Sequence, residues 1–222
     1  MKGLLYKDFI SIVSSYKKNA SLVLVIYTVC AVAGDMPALL YGIIFLMGMY
    51  AVSTLSFDEY SHWDMYGHTL PVTPRQAVAA KYLLGLGFMG TGTLLAMLLL
   101  TVTSAFRGQL ASSVTAEHLA GCLSALATVL LYYAIAFPLS FKMGATKART
   151  AVLGVMCALA MVCFLAWRFA QNTQTGAVVG QLFAGMSDRQ GVLLLFGVFA
   201  VSLMIYIVSW QISAGIYDRK EF

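Results

Sequence analysis

The chain has 222 residues, of which 60% are hydrophobic and 10% are charged, and its formal net charge is +5. Its mean hydropathy of +0.83 lies outside the range of soluble globular domains. This composition excludes a soluble globular protein, and the placement of the basic residues argues against a nucleic-acid partner.

Six long runs of the sequence contain no Asp, Glu, Lys or Arg. A helix needs about 20 apolar residues to cross a hydrocarbon core of about 30 Å, and most of the runs reach or approach that length. Backbone groups in lipid must be satisfied within their own segment, and the runs lack strand-like alternation, so they are predicted to be helices. We therefore expect an all-α integral membrane protein with six transmembrane helices, at 19–34, 38–57, 82–106, 118–141, 150–168 and 191–214.

The basic residues are divided unevenly between the two ends of these runs. Arg107, Arg168 and Arg189 lie on one side, and the other eleven Lys and Arg residues lie on the side that carries both chain ends. Since Lys and Arg are enriched in cytoplasmic segments, the N and C termini are both predicted to be cytoplasmic.

Residues 3–18, before the first span, are predicted to form an amphipathic helix in the cytoplasmic headgroup layer. Apolar residues recur at helical spacing on one side, and lysines and serines occupy the other. The alternative is a plain cytoplasmic extension of the first span. The apolar residues are Leu5, Phe9, Ile12, Val13 and Tyr16.

The segment between the second and third spans, residues 58–81, gathers polar and aromatic side chains that are scarce elsewhere. Three aromatic residues recur at the spacing of one side of a helix, and two acids precede them, where the helix dipole favours negative charge. These residues are Asp58, Glu59, Tyr60, Trp63 and Tyr66.

The same segment contains a second helix start. Gly67 is expected to end the first helix, and Thr73 is expected to cap the second, with Pro74 at its first position and Gln76 three residues after the cap. This second helix is predicted to run into the third span. The alternative is an interfacial belt of aromatic residues followed by a turn, because aromatic side chains collect at membrane interfaces.

The last outer segment contains an apolar stretch, 177–186. It is too short to span a membrane and is predicted to be a re-entrant or interfacial helix.

The sequence contains no recognised motif for catalysis, metal binding or nucleotide binding. Gly85–Gly90 matches G-x-G-x-x-G, but it lies inside an apolar run instead of between a strand and a helix. We interpret it, together with Gly92, as a small-residue face that allows close helix packing. The lack of ionisable residues inside the runs argues against an ion-coupled transporter.

A series of residues follows a recognisable order: an acid, a Trp, a Tyr, a Thr-Leu-Pro-Val-Thr run, a basic-polar pair and a Lys-Tyr pair. These are Glu59, Trp63, Tyr66, Thr69–Thr73, Arg75–Gln76 and Lys81–Tyr82, together with the chain start Met1–Asp8. This order resembles the ABC-2-type transporter permeases. It is most similar to the compact Gram-positive branch that includes the membrane subunits of the phenol-soluble modulin exporter.

The resemblance implies a half-transporter of an ATP-driven exporter. Two six-span chains, identical or paralogous, would line one path, and separate cytoplasmic ABC ATPase subunits would bind ATP and Mg²⁺ and power it. This chain would hold no cofactor or metal and would not itself be an enzyme. The segment 58–81 would be the coupling element, docking on the ATPase through Asp58, Glu59, Tyr60, Trp63, Tyr66 and Arg75.

By the same resemblance, spans one, two and five would line the path. Because the interiors of these spans lack Asp, Glu, Lys and Arg, their contacts would be apolar and aromatic, from Tyr27, Tyr41 and Tyr50. We expect an amphipathic or hydrophobic cargo, with peptides favoured over lipids and lipids over ions or sugars. The expected location is a bacterial cell membrane, crossed several times in contact with lipid. The alternatives are a non-transport membrane protein, such as an immunity or sensor subunit, and an ATP-independent channel.

Overall fold

A computed structural model describes residues 2–34, 36–63, 73–106, 116–171 and 187–219. Six of its helices are long and apolar enough to cross a membrane, and no strand occurs within the described ranges. The prediction of an all-α integral membrane protein is therefore confirmed. The elements are α1 (Lys2–Ala33), a 3₁₀ helix (Pro37–Tyr41), α2 (Gly42–Tyr60), α3 (Pro74–Phe106), α4 (Ala116–Met143), α5 (Ala145–Gln171) and α6 (Asp188–Asp218).

Most of the helices are longer than the predicted spans. The 33 residues of α3 correspond to about 50 Å at the usual rise per residue. This helix begins at Pro74, as predicted. The backbone N–H of Thr73 donates to the Gln76 side chain at 3.3 Å, and the Gln76 N–H donates to Thr73 Oγ1 at 3.4 Å. The capping box thus forms as the sequence indicates.

The predicted boundary between an interfacial helix, 3–18, and a first span, 19–34, is absent. Helix α1 runs from Lys2 to Ala33 without a break, because no Gly or Pro interrupts the sequence between residues 4 and 33. This continuity agrees with the alternative prediction, in which residues 3–18 extend the first span. The placement of its first turns in the headgroup layer stays a prediction.

The buried face of α1 overlaps the predicted apolar face only in part. Asp8 and Ile12 are buried, at 2% and 3% exposure, whereas Phe9 and Val13 remain 51% and 42% exposed. The side of α1 that meets the bundle therefore carries the charged Asp8 beside the apolar Ile12, whereas Phe9 and Val13 face outward.

Helix α4 lies at the centre of the bundle, in contact with α2, α3, α5 and α6, while α1 packs against α2 and α3. Tyrosine hydroxyls in the core bond to neighbouring helices: Tyr206 donates to the Tyr82 carbonyl at 2.7 Å, and Tyr133 donates to the Gly85 carbonyl at 3.2 Å. The Tyr82 hydroxyl lies 2.8 Å from both Ser209 Oγ and Ser213 Oγ. These bonds satisfy polar groups where lipid offers no partner.

The glycines of α3 fulfil the packing prediction only in part. Gly85 lies against the ring of Tyr133, and Gly92 lies against the backbone of Ile44 in α2, where any larger residue would be crowded. Gly87 and Gly90 face open space. The predicted re-entrant stretch, 177–186, lies outside the described residues.

Candidate functional site

Four charged side chains meet where the first turns of α1, the end of α2 and the first turns of α3 come together, and we call them the charged cluster. Lys7 Nζ lies 2.6 Å from Asp58 Oδ1 and 3.0 Å from Asp8 Oδ1. Lys81 Nζ lies 2.7 Å from Asp8 Oδ2 and 2.5 Å from Asp58 Oδ2. Each carboxylate is therefore shared by both ammonium groups, and the cluster is neutral as a whole.

The charged cluster is largely removed from solvent. Asp8 is 2% exposed, Asp58 is 7% exposed and Lys81 is 8% exposed, around a cavity of about 40 Å³. Buried charges are tolerated when they are paired, and the loss of one partner is strongly destabilising. The cluster consequently fixes the positions of three helix ends relative to one another.

Trp63 connects this cluster to the segment that follows α2. Its side chain is half-buried, and Lys7 Nζ lies 4.0 Å from the centre of its ring, within the range of a cation–π interaction. The same ammonium group therefore contacts Trp63 and Asp58, which joins the segment after α2 to both α1 and α2.

The end of α2 is also bonded to the start of α5. Glu59 accepts a hydrogen bond from the Thr146 backbone N–H at 2.9 Å and another from Thr146 Oγ1 at 3.2 Å. Its carboxylate lies at the N-terminus of α5, where the helix dipole favours an anion. Gly144, with φ of +85°, forms the corner between α4 and α5 that brings Thr146 to Glu59.

The predicted docking residues are distributed among different environments. Asp58 is buried in the charged cluster, and Glu59 is bonded to α5, whereas Tyr60 at the end of α2 is 90% exposed. Arg75 is exposed in the first turn of α3. Trp63 lies under Lys7, and Tyr66 lies outside the described residues. Contact of these residues with an ATPase stays a prediction.

A second feature is a cavity of about 280 Å³ that opens between α1, α2, α4 and α5, and we call it the side cleft. Its wall is mostly apolar, with several hydroxyl groups and one guanidinium near the start of α5. The lining residues whose roles are argued below are Tyr16, Tyr50, Val52, Ser53, Ser56 and Arg149.

Of the three predicted pathway tyrosines, only Tyr50 lines the side cleft, where it stacks on Tyr16 with ring centres 4.6 Å apart. Tyr27 packs against Gly42 at the start of α2, and Tyr41 packs against Gly121 of α4. The rings of Tyr27 and Tyr41 pack between neighbouring helices. Their role in a pathway stays a prediction.

Sequence reasoning missed Lys7, Asp8, Lys81 and Arg149 as site residues. A signal for Asp8 was present, because it lies three residues after Leu5 and four before Ile12 and so shares a helix face with apolar residues. An acid at such a position indicates a buried partner. Nothing local to Lys81 or Arg149 distinguishes them from ordinary cytoplasmic flanking charges.

Comparison with known proteins assigns the family. The model of the ABC-2 family transporter proteins matches residues 3–218, and the chain belongs to this family. Six helices in the described part of the chain are long and apolar enough to cross a membrane. The protein is therefore a multi-pass membrane component of an ABC transporter, and members of this family generally work with an ABC ATPase subunit. Searches of curated proteins and of solved structures find no match. The finer resemblance to the phenol-soluble modulin exporter stays a prediction.

Proposed function

We propose that the protein is the membrane-spanning half of an ATP-driven exporter, acting with a second six-helix chain and with a separate cytoplasmic ATPase that binds ATP and Mg²⁺. Family membership supports a transport role. The observation that carries the proposal is the charged cluster, which joins three helix ends to the start of the segment between α2 and α3.

Hydrolysis on a separate subunit moves cargo only when the docked segment shifts the transmembrane helices. The contacts offer such a route: Trp63 touches Lys7 of α1, Lys7 is paired with Asp58 of α2, and Asp58 is paired with Lys81 of α3. Since the members are packed and paired, a shift at Trp63 displaces the helix ends together. Glu59 extends this connection to α5 through Thr146.

The docking surface itself is proposed to include Tyr60 and Arg75, which are exposed at the two ends of the segment. Tyr and Arg are enriched among the residues that dominate binding energy at interfaces. In this arrangement, the exposed residues bind the ATPase, and the half-buried Trp63 transmits its movement.

The side cleft is proposed as part of the cargo pathway. It lies between α1, α2 and α5, the helices that the family resemblance assigns to the path, and α4 forms its base. Its apolar wall with scattered hydroxyl groups suits an amphipathic cargo, with peptides favoured. Export is the proposed direction.

The test is co-purification of the chain with its ATPase and measurement of ATP hydrolysis by the complex. Tyr60→Ala should weaken ATPase binding about tenfold or more, as expected for an interface hot spot. Tyr6→Ala is the matched control, because Tyr6 is also an exposed tyrosine, at 68%, but belongs to α1. Trp63→Ala should retain binding and lose the stimulation of hydrolysis by cargo.

Equal binding by the Tyr60 and Tyr6 variants, with full stimulation in the Trp63 variant, would sink the proposed docking and coupling roles. A chain that co-purifies with no ATPase would favour the sensor or immunity alternative.

A further inference from the structure

The side cleft has a guanidinium near the start of α5, and we infer from it that the transported amphiphile carries a negative charge at its polar end. Among the described residues that line the cleft, Arg149 is the only charged one. The inference rests on the proposed transport role of this cleft and adds the sign of the cargo's charge.

The guanidinium of Arg149 is held at the cleft wall and remains accessible. Arg149 Nη2 donates to Ser56 Oγ at 3.2 Å, which ties the side chain to α2, and the residue is exposed. A guanidinium has five N–H donors in a planar fork, so further donors can be offered to a ligand. This fork matches the two oxygens of a carboxylate or phosphate.

The neighbouring carboxylates do not neutralise the cleft. Glu59 is bonded to Thr146, and Asp58 is paired with Lys7 and Lys81. Neither acid belongs to the described lining of the cleft. Lys147, two residues before Arg149, is also cationic, but it is exposed and does not belong to the described lining of the cleft.

The rest of the cleft is suited to an apolar segment of the cargo. Its volume of about 280 Å³ is slightly below the usual range of about 300–1,000 Å³ for ligand pockets. It therefore takes one alkyl chain or one apolar edge of a peptide. The apolar lining consists of Leu46, Met49, Val52, Ala136, Ala145 and Val152. An apolar wall ending at one cation is complementary to an anionic amphiphile.

The experiment uses the full-length chain in phosphatidylcholine nanodiscs and two fluorescent probes with the same dansyl-undecyl tail, one ending in a carboxylate and the other in a trimethylammonium. The carboxylate probe should bind about tenfold more tightly, the difference that a charge-assisted hydrogen bond supplies. Arg149→Gln should abolish this preference, whereas Arg149→Lys should keep part of it.

Lys147→Gln is the matched control, since it removes the same charge two residues away without altering the lining, and it should leave the preference nearly unchanged. Ser53→Trp, which fills the cleft, should weaken both probes. Displacement of the carboxylate probe by phosphatidylglycerol or by an acidic amphipathic peptide would identify the source of the charge, and either supports the inference.

Equal affinity of the wild-type chain for the two probes would overturn the inference. So would a preference for the carboxylate probe that survives Arg149→Gln, or one that Lys147→Gln removes as fully as Arg149→Gln does. The binding assay contains no ATPase, so its result is separate from the proposed function. Selective binding by a chain that fails the ATPase test would reject the exporter proposal and leave the anion site standing.

Discussion

Lys81 is the more deeply buried cation of the charged cluster: its side chain is 10% exposed, against 26% for Lys7. Its ammonium group bridges Asp8 of α1 and Asp58 of α2, two residues that belong to different helices. The cluster has two cations, so the removal of Lys81 leaves Lys7 as the one ammonium group paired with both buried carboxylates.

Lys81→Gln should lower the free energy of unfolding by about 3–5 kcal/mol, the cost of leaving a buried charge without its partner. The double variant Asp8→Asn with Lys81→Gln restores the balance, leaving Lys7 with Asp58, and should be less destabilised than the single variant. Equilibrium unfolding in mixed detergent measures both. The shared pairing would be contradicted if the double variant were destabilised more than Lys81→Gln alone. It would also be contradicted if Lys81→Gln lost no more stability than the exposed control Lys142→Gln.

At the scale of elements, the corner between α4 and α5 depends on one backbone conformation. Gly144 has φ of +85°, a region that residues with a side chain rarely adopt. A Cβ at this position would also lie 2.7 Å from Glu59 Oε1. The corner is what places Thr146 at the Glu59 carboxylate.

Gly144→Ala should therefore destabilise the protein by about 1–3 kcal/mol through strain and crowding. Gly154→Ala is the control within α5, since a Cβ there meets nothing within 4 Å, and it should be neutral or slightly stabilising. Thermal unfolding of the two variants in the same detergent gives the comparison. Equal melting temperatures would show that the corner does not need its left-handed conformation.

The sequence predicts the six long helices well and their contacts poorly. The helix predicted to run from Tyr60 through Trp63 towards Gly67 is wrong, because α2 ends at Tyr60 and His62 has φ of +51°. The charge-free runs correctly predict six helices, because lipid forces each run to satisfy its own backbone, and the Thr73–Gln76 capping box is a local pattern. By contrast, Lys7 and Asp58 are 51 residues apart, and Glu59 and Thr146 are 87 apart. Nothing near either member encodes such a pairing, so the charged cluster and the link to α5 emerge only when the helices pack.

At the scale of the whole molecule, the orientation in the membrane follows from the placement of Lys and Arg. Single cysteines at Lys147 and Arg189, both exposed, should report opposite sides. In a background lacking the four native cysteines, an impermeant maleimide should label Arg189→Cys in intact cells and label Lys147→Cys only after permeabilisation. The reverse pattern would invert the topology and move the charged cluster to the outer surface.

Export driven by a separate ATPase is the central claim, and transport into inside-out vesicles tests it most directly. Vesicles from cells that produce the chain and its ATPase should accumulate a labelled amphipathic peptide when ATP and Mg²⁺ are supplied. Vesicles that contain the same amount of the Trp63→Ala chain should not accumulate the peptide, because the contact between the docked segment and Lys7 is lost. Uptake that is equal without ATP, unchanged in the Trp63 variant, or greater for a strongly polar solute would contradict this account.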